Sequence, residues 1–362
     1  MAIRCLAFHA AWRCRHSGAC CQAGWSIPIE GPAFERVRMH YGSRDDAGQL
    51  FVHEGHMPEG AVAILGVRSG ACVFFEKDAV ERRCQIQRTI GAGSLPLACR
   101  QFPRVVMKDQ RGTFVTLSHF CPTAAGLLLD PISFDVVEAP DTLALDGEME
   151  GLDATAVLPP LLRPNLLTDL EGYDTWEHRA IATLADDCLT AGKAAETIDL
   201  VTRQLGGWTP GVQSLSDAVV EAFVDTPVPS GEADMTRAIE LFALVSSSVP
   251  AGLVRPTVPM LSQSSWKDAT ALVEDYDRPV RAWLAARLFG NWIAYSAPGL
   301  CVVAASLRAY LSILRVEVVR AIQERPDLST ERRFIEAVRK ADLLIVHLSD
   351  VRALTPRLAR VA

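Results

Sequence analysis

Cys14-Arg-His-Ser-Gly-Ala-Cys20-Cys21 opens a cysteine series that continues at Cys72, Cys84, Cys99 and Cys121. The intervals are five, none, fifty, eleven, fourteen and twenty-one residues, so no single loop can hold the set. Thiolates are soft, anionic ligands, and four of them satisfy a tetrahedral zinc ion or one [4Fe–4S] cluster. Such a site needs tight ligand-bearing turns, and Ser17-Gly18-Ala19 provides one before the Cys20-Cys21 pair. Arg13 and Arg15 around Cys14, and Arg100 beside Cys99, are placed to offset the charge of several thiolates. Cys121-Pro122 reads as a helix start, where orphan amides and the helix dipole favour a thiolate. The expected metal ligands are therefore Cys14, Cys20, Cys21, Cys72, Cys84, Cys99 and Cys121. Spacing alone does not choose four among the seven.

Eight of the ten cysteines lie in the first 121 of the 362 residues, and only Cys188 and Cys301 lie beyond. In a reducing compartment this clustering favours metal ligation over structural disulfides. Cys5, Cys188 and Cys301 read instead as small buried or incidental side chains. The charge is divided as well. Residues 1–130 carry a net charge of +4, whereas the whole chain carries -7. The surplus is too small to argue for a nucleic-acid partner. No apolar run approaches the ~18 residues of a membrane span, and the N-terminus lacks the pattern of a secretory signal. A cytoplasmic protein without a membrane or nucleic-acid partner is the expectation.

Around the cysteines the chain reads as short strands and turns. Ala61–Val67 and Ala71–Phe75 are strand-like, and Arg104–Lys108 and Thr113–Leu117 flank a hairpin turn. From residue 165 onward the pattern is helical. The expected helices run 174–189, 195–205, 232–247, 266–276, 279–295, 300–322 and 330–348, the last capped at Ser329. The expected fold is α+β: a small irregular cysteine-rich metal-binding unit at 1–130, a Pro- and Asp-rich linker at 131–164, and an all-helical domain at 165–362. His178 and His347 in that domain are expected to have no nearby partner and to take no part in the site.

The run from Cys14 to Glu30, with Cys72-Val-Phe-Phe75, Cys84-Gln-Ile-Gln87, Leu95-Pro-Leu-Ala-Cys-Arg-Gln-Phe-Pro-Arg104 and Leu117-Ser-His-Phe-Cys-Pro-Thr-Ala-Ala125, resembles the YkgJ-type cysteine-cluster family of zinc- or iron-chelating proteins. The Gly-Trp after the paired cysteines and the Cys-Arg-x-Phe-Pro-Arg run look most like its flagellin lysine N-methylase branch. The resemblance covers about residues 8–130. It implies an iron–sulfur cluster and, for that branch, methyl transfer onto lysine side chains of a protein substrate, with S-adenosylmethionine as donor if the methylase reading holds. Where that branch tends to carry a further cysteine, this chain has His9, read chiefly as structural. Gln87 stands where the family often has histidine, so no ligand role carries over. His16 and His119 beside the cysteines read as supporting or surface residues.

The primary functional expectation is thus a metal-binding cysteine-cluster protein. A protein-lysine N-methyltransferase is the alternative, and a thiol–disulfide redox sensor, which the adjacent Cys20-Cys21 pair permits chemically, is a further one.

Overall fold

The computed structural model describes the chain except residues 1, 43–49, 54–56, 58, 77–83, 144–149, 232, 252, 297, 351–353 and 355–362. The architecture is mixed α+β, as expected. A five-stranded sheet runs in the order Gly151–Asp153, Arg104–Asp109, Gly112–Leu117, Ile3–Leu6, Val136–Glu138. Its centre is the anticipated hairpin, paired from Arg104↔Leu117 to Asp109↔Gly112. The turn closes because the Asp109 carboxylate accepts from the Arg111 amide (2.8 Å) and Gly112 adopts φ +146. The N-terminal strand joins the hairpin in parallel and Val136–Glu138 in antiparallel.

Two differences from the sequence reading follow. Residues 131–164 are not a bare linker, since Val136–Glu138 and Gly151–Asp153 form the two edges of that sheet. Three-residue strands show no readable alternation, and the sheet's neighbouring strands create them. The anticipated strand Ala61–Val67 ends at Leu65, and a separate two-residue ribbon pairs Val67–Arg68 with Ala71–Cys72. Ala61–Leu65 itself pairs with Pro28–Glu30 and Phe51–Val52 in a three-stranded sheet.

From Leu170 the described regular elements are helical. Side-chain caps at Asp169, Thr190, Ser214, Asp234, Ser262 and Ser329 start six of these helices. Leu215–Asp225 was not anticipated, although Ser214 caps it. The helix expected over 279–295 runs Asp277–Leu288 and stops before Gly290, whose φ of +56 turns the chain. A Cβ there would stand 2.8 Å from that of Phe114, so the close approach to the sheet requires glycine. The last helix, Thr330–Asp342, passes into a π-helical turn at Leu343–Leu348.

Sheet and helices share one core. Leu6, Phe8, Met107 and Phe114 pack in the same cluster as Trp283, Leu307 and Leu344. Polar contacts cross the same seam: Thr116 Oγ1 donates to Ala286 O (3.2 Å), and Arg287 Nη2 to Leu117 O (2.7 Å). Among the described residues no helix is long and apolar enough to cross a membrane.

Candidate metal centre

The cysteines arrive from six separate backbone turns. His16 takes φ +53 and Gly18 φ +74, and the latter opens the single turn Ala19–Gln22 that carries Cys20 and Cys21. Its first bond, Cys21 N to Gly18 O, is 3.1 Å. Cys72 closes the two-residue ribbon, and Cys84 bridges Phe75 and caps the helix Gln85–Ile90. Cys99 lies in the short helix Leu97–Gln101, whose Leu97 amide donates to both Glu30 carboxylate oxygens (3.0 and 3.2 Å). Cys121 stands at the start of Pro122–Leu127, as expected.

These turns gather the side chains. Cys14, Cys20, Cys21, Cys84, Cys99 and Cys121 line one cavity of about 520 Å³. Cys72 lies behind it, in a small core with Cys21 against which Cys20, Cys84 and Cys99 pack. Cys188 is exposed and remote in sequence, and Cys301 sits on the long helix Leu300–Glu324, its thiol directed at Thr202 O (3.9 Å). Among the described residues no three His, Cys, Asp or Glu side chains form a group that could hold a metal ion. The sulfurs therefore share a cavity without forming a closed ligand shell.

Their electrostatics are unequal. The Cys21 thiol lies against Cys20 and Cys84, and donation of its hydrogen holds both below the ordinary thiol range. The same arrangement, with burial, drives Cys21 up. Burial pushes Cys72 up to about 12 and Cys5 to about 11. Here one expectation is corrected. Arg100, exposed beside Cys99, does not make that residue a favoured thiolate. Burial, then the neighbouring Cys20, Cys72 and Cys84, raise it well above the usual value. At Cys121 the helix start is real, but the side chain makes no capping bond there. An all-sulfur donor set with two thiolate-favouring members fits a thiophilic metal in chemistry.

His16 is the supporting residue expected: its Nδ1 lies 3.7 Å from Cys14 Sγ and 3.2 Å from Gln87 Oε1. His119 is no surface residue. It is fully buried with His9, their Nε2 atoms 3.2 Å apart. Asp342 lies behind, accepting from the His119 amide (2.6 Å), Ser118 Oγ (3.0 Å) and Trp283 Nε1 (3.0 Å). Its Oδ1 is 3.9 Å from His119 Nδ1 and 3.5 Å from Arg287 Nε. The Nδ1 atoms of His9 and His119 are buried without a hydrogen-bond partner among the described residues. His9 packs in this buried pair and is not among the residues that line the cysteine cavity.

His347 does have partners, contrary to expectation, and so does His178, whose Nδ1 is 3.3 Å from Asp174 Oδ2. The π-helical turn sets His347 Nε2 2.7 Å from Ser118 Oγ and its ring 4.6 Å from that of Trp25. Ser118 gives its hydrogen to Asp342, so it accepts from His347 Nε2–H, leaving Nδ1 as an acceptor. Burial lowers His347 to about 4. Asp342, Arg287 and His347 lie 168 to 229 residues from Ser118 and His119, and no local pattern announces them.

A second cavity, of about 390 Å³, adjoins the first. Cys20 and Cys99 line both, and the wall opposite them comes from the helices, with Arg287, Trp292 and His347. Compared with known proteins, no family model matches the chain, and no curated protein or solved structure matches it.

Proposed function

We propose that this chain is a metal-binding cysteine-cluster protein, holding an iron–sulfur cluster or zinc through cysteines of the set Cys14, Cys20, Cys21, Cys72, Cys84, Cys99 and Cys121. The observation that carries the reading is convergence: six of the seven line one cavity although 107 positions separate the first from the last. Incidental thiols distributed through a core would not meet in one opening. Cys20 and Cys84, already biased toward thiolate, are the ligands that would bind first, and the remaining thiols would lose their protons to the metal. Bound zinc would supply folding energy, and a bound cluster an electron-transfer centre. In this reading residues 1–130 are the metal-binding unit, the helical part is its cover, and the reducing cytoplasm keeps its thiols available.

The experiment is anaerobic purification with iron, zinc and sulfide analysis, applied to the parent protein and to Cys99→Ser, Cys121→Ser, Cys188→Ser and Cys301→Ser. The first two variants should lose most of the metal, and the last two should keep it. Full occupancy in both Cys99→Ser and Cys121→Ser removes those two from the ligand set, and a metal-free parent with ordinary thiols defeats the proposal. A thiol–disulfide sensor is the second reading, favoured by the contact of Cys21 with Cys20 and Cys84. It predicts a metal-free chain whose thiol count falls with oxidant and recovers with reductant.

A further inference from the structure

We propose that the cysteine cavity receives its metal from an anionic complex, a low-molecular-weight thiolate or carboxylate chelate, and not as the free aqua cation. The inference rests on the metal-binding reading above and adds the chemical class of the donor.

Its basis is the sign of the charge at the cavity mouth. Arg13, Arg15, Arg100 and Arg104 line the cavity with the thiols, and no Asp or Glu is among its described lining residues. This positive mouth belongs to a chain whose net charge is -7. Arg13, Arg15 and Arg100 are exposed, as is Cys14, so this side of the cavity faces solvent. The hydrogen bonds of the other arginine and of Arg13 go to neutral oxygens. Arg13 Nη1 donates to Trp12 O and Thr142 Oγ1 (both 2.7 Å), and Arg104 to Leu143 O (2.9 Å) and Thr142 O (2.6 Å). Such acceptors satisfy the donors without cancelling the charge. Glu30, whose charge reaches Cys99, accepts from the Leu97 amide, and Glu150 lines the adjoining cavity instead.

A mouth of this sign repels a divalent cation and concentrates anions, and such fields change encounter rates by about tenfold to a thousandfold. Loading does not remove the field. A zinc ion or an oxidised [4Fe–4S] cluster held by four thiolates is a dianion, less charge than the four guanidinium groups supply. The thiols beneath are soft ligands able to take a thiophilic metal from a chelate. In that transfer each metal–chelate bond that breaks is replaced by a metal–sulfur bond. The thiol protons pass to solvent or to the freed chelate, and no electron moves.

The test uses the full-length protein, reduced and metal-free under anaerobic conditions, with zinc supplied as the aqua ion or as its monoanionic nitrilotriacetate complex. Stopped-flow absorbance of the zinc–thiolate bonds follows uptake at ionic strengths from about 20 to 200 mM. Over that range uptake from the complex should slow about fivefold, and uptake from the aqua ion should quicken. Arg15→Glu/Arg100→Glu should slow the first about tenfold at low salt and quicken the second. Arg15→Lys/Arg100→Lys keeps the charge and should match the parent. Arg179→Glu/Arg332→Glu reverses two exposed arginines outside the cavity lining and should change neither rate, which separates the mouth from the net charge. If circular dichroism shows the Glu double variant misfolded, Arg15→Gln/Arg100→Gln decides, with smaller effects of the same signs. The proposal is overturned if both zinc sources respond to salt with the same sign. It is also overturned if the mouth variants move both rates together or neither, or if Arg179→Glu/Arg332→Glu acts as strongly as they do. A protein that takes up zinc from neither source defeats the metal-binding reading and this inference with it, whereas uptake with salt responses of one sign defeats this inference alone.

Discussion

Replacing Asp342 tests whether the buried seam between sheet and helices is held as its geometry implies. Asp342 is fully buried and accepts from Ser118 Oγ, the His119 amide and Trp283 Nε1, with Arg287 Nε at 3.5 Å. Asp342→Ala leaves the Arg287 charge without its counter-ion, which costs about 3–5 kcal/mol. It also strands three donors, each worth about 1–3 kcal/mol if nothing replaces the carboxylate. Those costs do not add, because the vacated space lets neighbours relax or water enter, so the expected total is about 4 kcal/mol. For a chain of 362 residues, unfolding entropy of about 2.1 cal/mol/K per residue turns that into a fall in Tm of about 5 °C. Asp342→Asn keeps one acceptor oxygen and loses the charge, so about 2 kcal/mol is expected. The double variant Arg287→Met/Asp342→Leu should be more stable than Asp342→Ala, since no charge is left unpaired. Thermal melts followed by circular dichroism, with urea midpoints as a second measure, decide the matter. A loss below about 1 kcal/mol for Asp342→Ala, or a double variant less stable than that single one, refutes the ion-pair account.

Two further outcomes follow from the same geometry. Burial lowers His347 to about 4 and takes His9 and His119 well below the usual histidine value, so all three are neutral in the fold at neutral pH. Between about pH 6.5 and 4 the unfolded chain binds more protons, so stability is complete above that window and falls as pH drops through it. His347 alone accounts for about 3 kcal/mol by pH 4, and His347→Gln should flatten the pH dependence of the urea midpoint; a parent protein with no such dependence contradicts the burial argument. In the reduced, metal-free protein at neutral pH, iodoacetamide should label Cys84 and Cys20 before Cys72 and Cys5, whose thiols burial pushes up to about 12 and 11. Zinc reconstitution should protect Cys20 and Cys84, and peptide mapping that finds the opposite order would reverse the assignment of thiolates.

What the amino-acid sequence by itself determined is local. The hairpin from Arg104 to Leu117 was legible because its strands flank a turn with Asp109 and Gly112 at its ends. Most of the helices were legible because apolar spacing and cap residues lie within a few positions of one another, as at Ser329 with Arg332. The cysteines were legible as a set because thiols are scarce and chemically distinctive. Tertiary structure decided what depends on distant neighbours. Val136–Glu138 and Gly151–Asp153 are strands only because other strands offer them partners. Asp342 meets Ser118 and His119 across more than 220 residues, because the helix Thr330–Asp342 packs against Pro122–Leu127, which follows them. The order of the thiols was decided in the same way. Arg100 is adjacent to Cys99 in sequence but exposed, so solvent screening weakens its charge. Burial and the surrounding sulfurs, which come from three other turns, set the protonation of Cys99 instead, because desolvation acts on whatever the fold encloses and takes no account of chain order.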